Sequence, residues 1–155
     1  MMILSLKTLL SSGGDVMREI LFRGKNLQDN EWIYGSLVQT PNSTRISCSG
    51  EAFPSKVNPE TVGQYTSLVD CNGVKIFEGD IIQSYHHRQP MGVAAIYWQD
   101  SAFWCDLLSG STFDCCDTLS EWSCECCLEV IGNIFDNKDI VDSREWSNDG
   151  EWLGD

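Results

Sequence analysis

Basic residues are scarce in this chain: ten Lys and Arg stand against 23 Asp and Glu, for a net charge of −13. Nucleic-acid binders draw most of their non-specific affinity from Lys and Arg that neutralise phosphates. The few present are scattered, with Arg18, Arg23 and Lys25 near the start and singletons such as Lys75, Arg88 and Lys138 after them. Direct binding to DNA or RNA is therefore not expected. Long apolar runs are missing too. A membrane-spanning helix needs about 18–20 apolar residues in succession, and no stretch comes near that. Histidine is limited to His86 and His87, adjacent and placed in a turn-like stretch, with no partner at metal-ligand spacing and no Cys-His context for a nucleophile. No long helical period occurs anywhere.

The opening "MMILSLKTLL" is short, is interrupted by Lys7 and has no charged segment before it, so it does not read as a secretion signal. Residues 1–16 are instead expected to be a translated leader. The codons for Gly13-Gly14-Asp15 can spell GGAGGTGAT, a ribosome-binding sequence at a suitable distance from Met17, and "MREILFR" then begins the first strand. Without a secretion signal, the eight cysteines are expected to be reduced thiols in a cytoplasm rather than a disulfide framework.

What is present is a succession of short β signals. "REILFRG" and "WIYGSLV" flank a polar turn and predict a hairpin; "RISCS" predicts a third strand, and the two-proline stretch 50–60 a loop. Residues 62–68 read as extended, followed by Asp70-Cys71-Asn72-Gly73, whose Asn-Gly calls for positive φ in a tight connection. "VKIFEGDIIQSY" predicts two extended pieces hinged at Gly79. "VAAIYW" and "AFWCDLL" predict another hairpin, 117–122 one helical turn, "LEVIGNIFD" a closing strand, and "NKDIV" a further helical turn. Six to eight short strands at close spacing predict a mostly β domain over residues 17–141, a small barrel or a pair of packed sheets. Residues 142–155 read as an acidic tail carrying Trp146 and Trp152, expected to dock on the domain or on a partner.

Three constellations could carry chemistry. Asp70, Glu78 and Asp80 could converge on a divalent cation in a metal-dependent hydrolase. The plainer reading makes them turn residues: Gly79 takes a conformation others resist, Asp80 bonds nearby backbone amides, and Glu78 is solvated. Cys124 and Cys127 have the C-x2-C spacing of a structural zinc site, and Cys115-Cys116 could supply the remaining ligands, although vicinal thiols chelate one ion poorly. The alternative is that these thiols behave as small hydrophobes. Among the six tryptophans, Trp98 and Trp104 share one predicted hairpin and suit either the core or a binding groove.

The segments "MREILFRGK", "WIYGSLV", "VNPETVGQYTSLVDCNGVKIFEGDII" and "EVIGNIFDN" resemble the YopX-like proteins of bacteriophages and prophages. The resemblance runs from Met17 to about Val141. It is carried most specifically by Gln64, Tyr65, Thr66, Leu68, Asp70, Asn72, Gly73, Ile76, Glu78, Gly79, Asp80 and Ile81, and by Ile131-Gly132-Asn133-Ile134. Ser67 stands where that pattern has glycine, and the cysteine cluster lies outside it. The resemblance implies a mostly β fold containing an SH3-like barrel, with additional hairpins and little helix, in a phage accessory protein made in the bacterial cytoplasm. It implies no reaction and no cofactor. The expected mode of action is binding to a host protein or small ligand, counter-defence being one form, with self-association left open. Candidate binding residues are Tyr65, Asp70, Lys75, Glu78, Asp80, Arg88, Trp98 and Trp104.

Overall fold

The computed structural model describes residues 17–110 and 118–143. The expected leader, Cys115 and Cys116, and the tail with Trp146 and Trp152 lie outside those residues. Ten strands form in chain order: β1 (Phe22–Lys25), β2 (Trp32–Thr40), β3 (Ser43–Ser47), β4 (Ser55–Lys56), β5 (Gly63–Val69), β6 (Lys75–Phe77), β7 (Asp80–His86), β8 (Gln89–Gln99), β9 (Ala102–Gly110) and β10 (Cys127–Asn133). A 3-10 turn covers Pro59–Thr61, and two short helices, α1 (Leu119–Glu125) and α2 (Lys138–Asp142), flank β10. No helix among the described residues is long and apolar enough to cross a membrane.

The strands form two antiparallel sheets, one in the order β4-β3-β2-β1-β5-β6 and the other β10-β7-β8-β9. The mostly β fold with little helix is thus what these residues build. Each sheet keeps two edges, and no ladder among the described residues closes a ring. Strands β4 and β6, at the edges of the first sheet, are only two and three residues long, which leaves little backbone for further pairing.

Connections follow the turn signals. The β7–β8 loop places His87 and Arg88 at φ 49° and 66°, and the β8–β9 loop places Asp100 and Ser101 at 48° and 64°. Two-residue hairpin loops need positive φ at both central positions to match strand twist, and here residues other than glycine supply it. Between β5 and β6, the Gly73 N–H donates to the Asp70 carbonyl at 3.0 Å, and Gly73 itself sits at φ +79°. That is a three-residue loop closed by a left-handed glycine, as Asn-Gly predicted.

The main core lies on one face of the second sheet. Ile82, Ala94, Ile96 and Leu128 from its strands pack with Ile76 of β6 and with Leu119 and Trp122 of α1. Helix α1 shows why so short a segment holds. Thr118 and Glu121 form a reciprocal capping box, and Leu119 and Trp122, three apart, turn one face onto the sheet. Burying a large apolar side chain contributes about 1.5–3 kcal/mol, more than the helix gains from its own few hydrogen bonds.

Candidate functional site

The two sheets meet at the two turns flanking β6. The first is built on Asp70, only 6% exposed. Its Oδ1 accepts the N–H groups of Asn72 (2.8 Å) and Val74 (2.9 Å), which shapes the turn locally. Its Oδ2 accepts the N–H of Val130 in β10 at 3.0 Å, which ties the turn to the other sheet. Val130 stands at a β-bulge: it pairs with Ile82 while Gly132 pairs with Ile81, so Ile131 has no partner. Burial pushes the Asp70 carboxyl up, yet the three backbone donors outweigh it and leave the pKa below its ordinary value.

The second turn is Glu78-Gly79-Asp80. Gly79 sits at φ +87°; its N–H donates to Ile96 (2.8 Å) and its carbonyl accepts from Ile134 (2.9 Å). Chain passing from β6 into β7 is thereby stitched to both β8 and the segment after β10. Asp80, 2% exposed, accepts the Phe77 N–H at 2.7 Å through Oδ2 and pairs with Arg23 Nη2 at 2.7 Å through Oδ1. Burial raises the Asp80 pKa, and the Arg23 charge and the Phe77 N–H only partly oppose it. Glu78 reaches back to the Gln64 N–H at 3.5 Å, and its carbonyl accepts from Arg23 at 3.3 Å.

Asp70, Glu78 and Asp80 therefore each face a different set of backbone donors. No group of three or more His, Cys, Asp or Glu positioned to hold a metal ion exists among the described residues. The hydrolase alternative loses the convergence it required, because these acids are engaged in closing turns and joining sheets. Glu78 is half-buried, so part of its side chain still meets solvent.

Between the sheets lies a cleft of about 560 Å³, lined by Leu21, Arg23, Trp32, Tyr34, Val74, Lys75, Phe77, Asp80, Val130, Gly132, Asn133 and Asp136. Its floor is Arg23, whose guanidinium lies 4.5 Å from the Trp32 ring centre and 5.0 Å from that of Phe77. Both rings attract the cation through their π faces. The buried Arg23 Nε has no hydrogen-bond partner among the described residues. Tyr34 packs edge-on to Phe77 at 5.5 Å and remains 46% exposed at the mouth. At one end, Asp136 accepts from Trp32 Nε1 at 2.7 Å and from Asn133 Nδ2 at 3.0 Å, and it pairs with Lys25. The Lys25 and Trp32 bonds bring the Asp136 pKa down to about 2.

Of the sequence candidates, Lys75 and Asp80 line this cleft. Tyr65 is buried behind it, its ring 5.6 Å from Phe77 and 5.1 Å from Lys75 Nζ. Asp70 and Glu78 support the walls through the backbone. Arg88 is exposed on the β7–β8 turn and does not line the cleft. Trp98 is half exposed on β8, edge-on to Phe103 at 4.8 Å, and Trp104 donates from Nε1 to the Gln99 carbonyl at 2.8 Å; both belong to the outer hairpin. Cys124 lies in α1 and Cys127 at the start of β10, both exposed. Sequence reasoning missed Arg23, Trp32 and Asp136. Lys25 and Asp136 stand 111 positions apart, and no local spacing links them.

A family model described as "YopX protein" matches residues 21–142. Three chains of solved structures match. One is protein EF1440 from Enterococcus faecalis, 20% identical, with a TM-score of 0.45 over 81% of this chain and 99% of that one. No curated protein matches. With turns, strands and closing segment all inside the matched span, the chain belongs to the YopX family.

Proposed function

We propose that this chain is a phage-type accessory protein of the bacterial cytoplasm that acts by binding, and that the cleft between its sheets receives a group from a host protein or small ligand. The observation that carries this reading is the cleft floor: a buried arginine against two aromatic rings, its Nε without a hydrogen-bond partner among the described residues, near a half-exposed tyrosine. Aromatic walls with a few fixed polar groups are the usual make-up of a recognition site, and the volume falls within the roughly 300–1,000 Å³ of small-ligand pockets. Counter-defence is one concrete form, in which the protein occupies a host immune protein or its signalling nucleotide.

The experiment is capture from host cells by the chain as bait, followed by calorimetry with the purified partner or ligand. Tyr34→Ala, at the exposed mouth, is expected to weaken binding about tenfold or more, as loss of an aromatic anchor does. Affinity unchanged in Tyr34→Ala overturns the cleft as the binding place.

A further inference from the structure

Cys71 lies in the β5–β6 turn and Cys127 opens β10, so the two belong to different sheets. The Cys71 N–H donates to the Leu128 carbonyl at 2.8 Å, which lays the turn alongside the start of β10. That backbone contact sets Cys71 beside Cys127, the residue before Leu128, and both cysteines are exposed. On the same two segments, Asp70 binds the Val130 N–H, and Val74 and Val130 line the cleft.

The geometry points to Cys71 and Cys127 as an oxidisable dithiol that closes a disulfide between the two sheets on reaction with a low-molecular-weight disulfide. One thiolate attacks a sulfur of that disulfide; its S–S bond breaks, and one small thiolate leaves with the proton the cysteine gave up. The second cysteine thiolate then attacks the protein-bound sulfur and releases the other small thiol. The protein loses two protons and two electrons, and the small disulfide gains them. In a reducing cytoplasm the pair is open, and a shift towards oxidised small thiols closes it. The bond would staple the β5–β6 turn to β10 and hold two walls of the cleft at fixed separation.

The surroundings set the pace. The neighbouring Cys127 thiol, slight burial, and the nearby charges of Asp70 and Glu129 all raise the Cys71 pKa. The thiol stays protonated at neutral pH, so closure runs faster as pH rises.

The test incubates the full chain with oxidised glutathione, blocks remaining thiols, and maps digested peptides by mass spectrometry without reduction. The expected result is a Cys71–Cys127 cross-linked peptide and a rise in Tm of about 5–10 °C that dithiothreitol reverses, since cross-linking distant positions restricts the unfolded chain. Cys71→Ser and Cys127→Ser are expected to lose both signals, and Cys124→Ser to keep them. Recovery of Cys71 as a free thiol or a glutathione adduct overturns the proposal, as does Cys127 joined to Cys124 or Cys126. This outcome is independent of whether the cleft binds a partner.

Discussion

The Asp70 carboxylate accepts the Val130 N–H at 3.0 Å across 60 positions of sequence, and through this contact a hairpin turn of one sheet holds the edge strand of the other. One oxygen of the same group closes the local turn on Asn72 and Val74. A residue that reads as ordinary turn chemistry thus also joins the two halves of the fold.

Asp70→Asn keeps the local Oδ1 acceptor but presents an NH2 to the Val130 N–H. Two donors then face each other in a buried place, and the cost expected is about 1–3 kcal/mol, the penalty for an unsatisfied buried group. Chemical denaturation of both proteins gives the value. Equal stability means that water replaces the carboxylate without loss.

Asp80→Ala removes the partner of Arg23 and leaves a buried guanidinium without its counter-charge. Loss of about 3–5 kcal/mol is expected, as for other broken buried pairs. Replacing both, as Arg23→Met with Asp80→Leu, is expected to be less harmful than Asp80→Ala alone, because no charge is then stranded. Thermal melts of the two variants beside the parent chain check the order.

Gly79→Ala places a Cβ 3.1 Å from the Phe135 ring at a φ of +87°. A positive φ is costly for any residue with a side chain, so about 1–2 kcal/mol of destabilisation is expected. Gly73→Ala, also at positive φ but with open space around its Cβ, isolates the backbone part of that cost.

Asp136 titrates at about 2 in the folded chain, below the ordinary carboxylate value of about 4. A depressed pKa contributes stability that is present above the unfolded value and lost as pH falls through the folded one. Asp70, also lowered, acts in the same sense. Asp80 acts in the opposite sense: its raised pKa favours the fold below the ordinary value, and that contribution is lost as pH rises through the folded pKa. NMR titration of the Asp136 carboxyl is expected to show its midpoint rising towards 4 in Lys25→Met or Trp32→Phe.

Most of the element order was legible along the chain because hairpins are local. Strand alternation, Asn72-Gly73 and the Gly79 hinge declare themselves within a few residues. Boundaries moved where pairing rather than propensity decided them: the first strand begins at Phe22 instead of Arg18, and β4 forms inside the stretch read as a loop because Arg45 and Ile46 pair with Lys56 and Ser55. The candidate site was legible only in part. Asp80 and Lys75 lie within the identifying motif, whereas Arg23, Trp32 and Asp136 come from segments far apart.

By itself the sequence determined the family, the mostly β class and the two turns around β6, because these rest on side-chain alternation and on which residues tolerate tight backbone geometry. Only the tertiary structure decided what the acids of those turns do. Asp70 and Asp80 each found a partner more than fifty positions away, in Val130 and Arg23, and such pairing follows from how two sheets pack rather than from any local spacing. The same packing turned a possible set of catalytic carboxylates into the supports of a cleft.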